Sequence, residues 1–307
     1  MSATTLGSPR GSERRRARNR SPEPGGASRV QASQVLAMAF LFVMGLYFLL
    51  PVWWLVVSST KTTGGLFSSF GFWFGHSFAL FTNVRGVFTF EGSIFIQWIL
   101  NTILYAGVGA VVGTLLSASA GFALAKYRFA GRELVFSVIL GGVLIPGTAL
   151  ALPLYLLMSK FGLTNTIWSV LLPSMVSPFG VYLARVYAGS SVPEELLEAA
   201  RVDGAGEVRI FRTIVLRILS PALVTIFLFQ FVAIWTNFFL PLVMLSSTRL
   251  YPITLGLYTW NTQYGQTPNL YAYVVTGAMI SVIPLIVAFL SLQRFWRSGL
   301  TAGSVKL

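Results

Sequence analysis

Six long apolar runs constrain most strongly what this chain can fold into. A bilayer core about 30 Å thick needs about 20 apolar residues of α-helix, at about 1.5 Å rise per residue. Lipid cannot hydrogen-bond to an exposed backbone, so each run should be helical, and none shows the alternation of a β-barrel strand. The sequence therefore predicts an all-α integral membrane protein with six transmembrane helices. The runs, none of which contains Asp, Glu, Lys or Arg, are Val35–Val57, Ile94–Ala125, Leu134–Ser159, Phe161–Ala184, Ile218–Leu245 and Tyr271–Leu292.

The composition excludes an ordinary soluble globule and a disordered chain. Only 10% of the 307 residues are charged, and the mean hydropathy is +0.73. A soluble domain carries about 25% charged residues, because water must solvate its surface. We therefore treat residues 35–307 as one transmembrane domain.

The distribution of basic residues predicts the orientation of the helices. If the N-terminus is cytoplasmic, 18 of the 22 Lys and Arg residues fall in segments on the cytoplasmic side. The four on the outer side are Lys61, Arg85, Lys160 and Arg249. Because cytoplasmic loops of membrane proteins are enriched in Lys and Arg, both termini should be cytoplasmic.

The first 34 residues are rich in Arg, Ser, Pro and Gly and contain few apolar side chains. Such a segment cannot bury enough apolar surface to fold alone, so residues 1–34 are predicted to be a disordered, basic cytoplasmic tail. The cluster Glu13–Arg20 could bind nucleic acid or anionic lipid. We favour a solvated tail that enforces topology, and we expect the lipid bilayer but no nucleic acid among the partners.

The sequence contains little that could carry out chemistry. There is no cysteine and a single histidine, His76, so a metal centre built from several imidazoles or thiolates is excluded. None of the four lysines follows a glycine, so the chain lacks the phosphate-binding loop GxxxxGK[ST]. No carboxylate lies inside a span, which disfavours an ion-coupled secondary carrier, although backbone carbonyls could still bind sodium. We expect no catalytic residue, no bound metal and no cofactor.

The loop at residues 190–217 is the most informative segment. Ser191 and Glu194 have the spacing of a capping box at the start of a helix. Gly204 can adopt the left-handed conformation that ends a helix, and a second amphipathic helix with Phe211 on its apolar face follows. The pattern predicts a helix–turn–helix protrusion on the cytoplasmic side.

This protrusion resembles the EAA loop of ABC-importer permeases. The resemblance rests on the run Glu198–Ala205 (EAARVDGA), followed by Phe211 and Pro221. The rest of the chain is similar to the second, inner-membrane permease subunit of maltose-type carbohydrate importers. Supporting stretches are Asn101-Thr102, Lys126–Arg132 (KYRFAGR), Ile145-Pro146-Gly147, Gly162–Thr166, Ser177–Gly180 and Gly299–Lys306. Two positions depart from the family pattern: Arg217 stands where proline is usual, and Asn237 stands where an acidic residue is frequent.

The resemblance implies a type I ABC-importer transmembrane fold with cytoplasmic EAA coupling helices, in a bacterial cytoplasmic membrane. It implies three kinds of partner: a second permease subunit, two ATP-binding subunits and an extracytoplasmic solute-binding protein. ATP and Mg²⁺ would be bound by the ATPase partner, so this chain would not be an enzyme. The residues expected to couple it to that ATPase are Glu198, Ala199, Ala200, Asp203, Gly204, Ala205 and Phe211.

The implied cargo is a carbohydrate, most simply a di- or oligosaccharide. Polar and aromatic side chains within the spans are the candidates for the substrate pathway, although such groups also hold helices together. These candidates are Asn101, Thr102, Ser174, Ser177, Gln230, Trp235, Thr236 and Asn237. Alternatives are an ABC importer for a polyol or a glycerol phosphodiester, an ATP-independent secondary carrier, and a membrane scaffold or insertase.

Overall fold

The computed structural model describes residues 25–302, and over that range it is helical without strands. The predicted tail therefore lies outside the described residues up to position 24, and the first helix begins at Gly25 rather than after residue 34. The α-helices are α1 (Gly25–Ser59), α2 (Thr63–Ser68), α3 (Leu80–Thr89), α4 (Ile94–Lys126), α5 (Arg132–Leu144), α6 (Ala151–Lys160), α7 (Ile167–Ser174), α8 (Pro178–Ser191), α9 (Glu194–Val202), α10 (Glu207–Ile210), α11 (Leu216–Ile218), α12 (Ser220–Trp235), α13 (Phe239–Met244), α14 (Ile253–Gln263) and α15 (Leu270–Ala302).

The chain divides into two compact units, residues 1–51 and 52–307. In the first unit, the described side chains belong to the apolar part of α1 and are almost all exposed. The second unit contains the buried core and every site discussed below.

Four segments of the described chain are long and apolar enough to cross a bilayer, and a bent pair of helices could form a fifth. The four are Gln34–Ser59, Leu80–Lys126, Ile167–Ser191 and Leu270–Gln293. The bent pair joins Glu207–Ile218 to Ser220–Trp235 at an angle of 81°. The structure thus gives a multi-pass helical membrane protein, with fewer uninterrupted spans than the six predicted.

The predicted span 134–159 is not one helix. It is divided into α5 and α6 by a turn at residues 145–150, in which Ala149 N donates to Pro146 O at 2.9 Å. Proline lacks an amide hydrogen and clashes with the preceding turn, and Gly147 adds backbone freedom, so the helix stops there.

The predicted span 161–184 begins later and is kinked. Residues 161–166 form turns, with Gly162 at φ +66° and Asn165 at φ +55°. Asn165 Oδ1 accepts hydrogen bonds from the amides of Ser246 (3.0 Å) and Ser247 (2.9 Å), which explains why this residue leaves the helical conformation. The helical part runs from Ile167 to Ser191, with a break between Ser174 and Pro178.

Helix α4 is the centre of the second unit, and α8 and α12 pack against its small residues. A methyl group added to Gly121 would lie 2.6 Å from the backbone nitrogen of Arg185. One added to Gly113 would lie 2.0 Å from Gln230 Nε2. Small side chains allow backbones to approach this closely, and close packing is what holds helices together in lipid.

Candidate functional site

The turn of the helix–turn–helix segment has the geometry expected from the sequence. Gly204 has φ +78°, which a residue with a side chain rarely adopts. The amide of Asp203 donates to Ala199 O at 3.0 Å, and that of Ala205 donates to Ala200 O at 2.9 Å. These bonds satisfy the last carbonyls of α9 and reverse the chain.

The start of α9 differs from the prediction. Pro193 occupies the N-cap position and no side chain caps the helix, so the prediction of a capping box formed by Ser191 and Glu194 is wrong. The residue before a proline avoids the helical region, and Val192 accordingly has φ −100° and ψ 109°. Ser191 is consequently still the last residue of α8 and cannot reach the amides of α9.

The protrusion, defined here as residues 194–218, stands on an apolar base. Leu197, Ile210, Val215 and the adjoining Leu219 are at most 2% exposed. They pack with residues from the ends of α4 and α8, namely Phe122, Ala188 and Val192. Phe211 joins this base, with its ring centroid 5.8 Å from that of Phe122. The predicted coupling residue Phe211 therefore belongs to the base rather than to the tip.

The outer surface of the protrusion is open and partly apolar. Glu198, Ala199, Asp203 and Gly204 are exposed, whereas Ala200 and Ala205 are half-buried. Three large apolar side chains are also exposed on it: Leu196 (41%), Val202 (87%) and Val208 (73%). An exposed apolar patch rimmed by polar residues is typical of a protein–protein contact.

Charged groups connect the protrusion to the end of α4. Arg201 Nε donates to Glu207 Oε1 at 2.7 Å, and the Tyr127 hydroxyl donates to Glu207 Oε2. The hydrogen bond from Arg201 to Glu207 raises the pKa of the guanidinium further. Burial, and then the neighbouring carboxylate, raises the pKa of Tyr127. This link was not predicted from the sequence, because Tyr127 and Glu207 are 80 positions apart.

A cavity of about 700 Å³ opens where three helical segments are interrupted. The interruptions are at residues 145–150, 175–177 and 236–238. Interrupted helices at membrane depth are typical of substrate pathways, since backbone carbonyls freed from the helix can face a cavity. The predicted pathway residues that line it are Ser174, Ser177, Gln230 and Asn237.

Gln230 holds two of the cavity walls together. Its Nε2 donates to the carbonyl oxygen of Ser174 at 2.8 Å, and its amide lies over Gly113 of α4. Its Oε1 is buried and accepts no hydrogen bond from any described residue. An unsatisfied buried acceptor is costly, so this oxygen is the polar atom in the wall most in need of a donor.

Three other lining polar side chains, those of Ser174, Ser177 and Asn237, have intramolecular partners. Ser177 Oγ caps α8 by accepting from Gly180 N at 3.1 Å, and Ser174 Oγ donates to Val170 O at 2.7 Å. Asn237 Oδ1 accepts from Leu240 N at 3.3 Å. Lining residues that the sequence reasoning missed include Thr148, Phe179, Phe229 and Phe239. For Thr148, the neighbouring helix-breaking pair Pro146-Gly147 was the sequence signal that could have indicated an interrupted helix at a cavity.

Asn101 and Thr102 lie elsewhere, and their polar groups anchor the segment before α14. Asn101 Nδ2 donates to the carbonyls of Arg249 (2.7 Å) and Tyr251 (3.0 Å), and Thr102 Oγ1 accepts from Ile253 N at 2.8 Å. Both side chains are buried and do not line the cavity.

Trp235 and Thr236 also lie outside the cavity lining. Trp235 Nε1 donates to Ser281 O of α15 at 3.2 Å, and Thr236 Oγ1 donates to Val232 O at 2.8 Å. Within residues 25–302 no three His, Asp or Glu side chains are grouped so that they could hold a metal ion.

Comparison with known proteins identifies the family. A family model described as "binding-protein-dependent transport system inner membrane component" matches residues 113–300. The chain belongs to this family. The match covers the protrusion and every residue that lines the cavity. The family comprises transport permeases rather than enzymes.

Curated relatives cover most of the permease. It is 38% identical over 220 residues to the arabinooligosaccharides transport system permease protein AraQ of Halalkalibacterium halodurans, covering 72% of this chain and 77% of that protein. It is 31% identical to AraQ of Bacillus subtilis, covering 87% and 94%. It is 32% identical to the lactose transport system permease protein LacG of Rhizobium radiobacter, covering 90% and 96%.

A solved structure has the same fold. A chain from a bacterial ABC transporter involved in the import of the acidic polysaccharide alginate superposes with a TM-score of 0.76. The alignment covers 90% of the permease and 100% of that chain, at 21% identity. The permease therefore has the transmembrane fold of an ABC importer.

Proposed function

We propose that the chain is a permease subunit of an ABC importer that moves a carbohydrate, most simply a di- or oligosaccharide, into a bacterial cell by alternating access. The observation that carries the proposal is the protrusion itself. It is held to α4 and α8 by a buried base, yet it exposes Leu196, Val202 and Val208, and nothing in the described chain covers them. A separate ATPase subunit is the partner that such a surface in this family would engage.

The proposed topology has six spans in the cytoplasmic membrane. Four are the long apolar segments named above, and the fifth is the Ser220–Trp235 arm of the bent pair, whose other arm belongs to the protrusion. Helices α5 and α6 together would form the remaining one, broken at Pro146. With both termini cytoplasmic, the protrusion and the Lys126–Arg132 turn face the cytoplasm, in agreement with the excess of basic residues in these segments.

Coupling would work through rigid attachment of the protrusion. Glu198–Ala205 would sit in a groove of one ATPase subunit, with Glu198 and Asp203 exposed for ionic contacts. ATP and Mg²⁺ would be bound by the ATPase pair. Closure of that pair would displace the protrusion, and the buried base would pass the movement to α8 and α12, which line the cavity.

The cavity is the proposed contribution of this subunit to the substrate pathway. Ser174, Ser177, Gln230 and Asn237 supply polar side chains of its lining, and Phe179, Phe229 and Phe239 offer rings for stacking against a sugar face. The second permease subunit would complete the pathway, and a solute-binding protein would deliver the cargo from outside.

Reconstitution tests the proposal. The permease would be placed in proteoliposomes with a second permease, an ATPase and a solute-binding protein encoded beside it. Radiolabelled lactose, arabinotriose, sorbitol and glycerophosphocholine would be supplied one at a time. We expect vanadate-sensitive, ATP-dependent uptake of a saccharide. Uptake driven by an ion gradient in the permease alone would identify a secondary carrier and overturn the proposal. ATP-dependent uptake of only sorbitol or glycerophosphocholine would overturn the carbohydrate assignment.

A further inference from the structure

A shallow cleft of about 360 Å³ lies at the turn between α4 and α5. Its walls are Arg128, Phe129, Gly131, Arg132, Glu133 and Leu134. Gly131 has φ +79°, which lets the chain reverse within a few residues and brings Arg128 and Arg132 into the same cleft. Neither the cavity nor the protrusion uses this cleft.

The cleft carries an excess of positive charge. Its one carboxylate, Glu133, is already bound by Arg132 Nη2 at 3.0 Å and by Arg185 Nη2 at 2.8 Å. Arg132 Nη1 also donates to the carbonyl of Tyr127 at 3.4 Å. Arg128 is exposed and pairs with no carboxylate in residues 25–302, and neither does Lys126 at the end of α4. An anion would therefore be attracted to Arg128 without competing against an internal partner.

Apolar side chains continue from the cleft along α5. Phe129, Leu134 and Val138 are 46%, 70% and 69% exposed. Leu134 and Val138 are four residues apart, so they lie on one face of the helix. Lys126 ends a candidate span and Arg132 begins the next helix. In the six-span topology proposed above, the cations lie at the level of the membrane surface, and the apolar stripe runs into the hydrocarbon layer.

We infer that this cleft binds the phosphate of an anionic phospholipid, such as phosphatidylglycerol, between Arg128 and Arg132. A guanidinium matches a phosphate in charge and geometry. An acyl chain would lie along Leu134 and Val138, which a free phosphate ion could not exploit. The inference rests on the proposed function only for the six-span topology that places α5 in the membrane.

Lipid titration of the full-length permease tests the site. Detergent-solubilised protein would be titrated with dioctanoyl phosphatidylglycerol, dioctanoyl phosphatidylcholine or glycerol phosphate, and bound ligand would be counted by native mass spectrometry. We expect tighter binding of phosphatidylglycerol than of phosphatidylcholine, weakened by added salt. Arg128→Gln should weaken phosphatidylglycerol binding about fivefold, the effect of one basic residue at an anionic membrane surface. Arg128→Lys should retain most of the binding.

Arg249→Gln is the matched control, because it removes an exposed arginine whose fold contact is made by its backbone carbonyl. It should leave lipid binding unchanged. Equal binding of the two lipids, or unaltered binding by Arg128→Gln, would overturn the inference. Equal binding of glycerol phosphate would show a soluble-phosphate site instead. None of these measurements needs ATPase or cargo. The lipid-site inference can therefore be wrong while the proposed transport function is correct, and the transport function can be wrong while the lipid site is correct.

Discussion

The hydroxyl of Tyr127, one residue beyond α4, donates a hydrogen bond to Glu207, the first residue of α10. Arg201 of α9 holds the same carboxylate at 2.7 Å, so a single acidic group joins both arms of the protrusion to the end of a spanning helix. None of these three residues, Tyr127, Arg201 and Glu207, was among the predicted coupling residues.

Tyr127→Phe should loosen this junction. Loss of a hydrogen bond to a partly exposed charged group costs about 0.5–1 kcal/mol, and 1 kcal/mol is roughly a fivefold change in an equilibrium between attached and detached protrusion. We expect fewer substrate molecules imported per ATP hydrolysed in the reconstituted importer. Tyr155→Phe is the control, because the described structure shows no hydrogen bond from that hydroxyl. An unchanged ratio for Tyr127→Phe would remove the junction from the coupling mechanism.

Gly204→Pro should uncouple ATP hydrolysis from uptake. Proline fixes φ near −65°, whereas Gly204 has φ +78° and its amide donates to Arg201 O at 3.0 Å. Gly204→Ala should be milder, at about 1–2 kcal/mol of strain. The control is Gly206→Ala, since Gly206 has φ −69° and open space around it. Uptake by Gly204→Pro at the wild-type rate per ATP would contradict the assignment of the turn.

Gly113→Ala should destabilise the permease by about 1–3 kcal/mol, the usual cost of overpacking a close contact. The added methyl group would meet Gln230 Nε2 at 2.0 Å and displace this amide from its hydrogen bond to Ser174 O. Thermal unfolding in detergent measures the change. Gly107→Ala adds the same methyl group to the same helix in open space and should be neutral. Equal stability of the two variants would show that the Gln230 amide moves aside without cost.

Asn101→Ala should lower stability by about 1–3 kcal/mol, because the carbonyls of Arg249 and Tyr251 lose their donor. The KM for uptake should stay the same, since Asn101 does not line the cavity. Asn261→Ala removes an exposed amide and serves as the control for stability. A raised KM with unchanged stability would return Asn101 to the substrate pathway.

Glu133→Gln should affect stability only above acidic pH. Hydrogen bonding to Arg185 holds the pKa of Glu133 below its ordinary value of 4.5. A carboxylate with a lowered pKa stabilises the fold above its unfolded pKa, and that contribution is lost as the pH falls through the folded value. The difference in melting temperature between wild type and Glu133→Gln should therefore shrink on going from about pH 7 to about pH 3. A difference that is constant with pH would show that the ion pairs contribute nothing. Glu194→Gln is the control for loss of an exposed carboxylate.

Sequence reasoning succeeded where a local pattern determines the structure. Gly204 was identified from its position after an amphipathic segment, and it has the expected left-handed conformation. The predicted apolar runs Val35–Val57 and Tyr271–Leu292 lie within the uninterrupted helical spans Gln34–Ser59 and Leu270–Gln293. In both cases the decisive interactions are with neighbouring residues or with lipid.

It failed where the partner is distant in the chain. Asn101 and Gln230 both read as polar groups inside an apolar run, yet one anchors a segment about 150 positions away and the other lies on the cavity wall. Hydrophobic periodicity and amino-acid composition contain no information that distinguishes a residue that anchors a segment from one that lines the cavity. The break at Pro146-Gly147 was visible as a pair of helix-breaking residues, but the long apolar run around it favoured a continuous span.

The buried base of the protrusion includes Ala188 of α8 and Leu219 at the elbow before α12. From there α8 runs back to Pro178 and α12 runs on to Gln230, and both of these helical stretches end at the cavity. A helix of 14 residues, such as α8, is about 21 Å long and resists compression. The two helices would behave as rigid rods, so a displacement at the base would reach both of their cavity-lining ends together. Substitutions of exposed residues along these two helices should have little effect on coupling unless they break the helix.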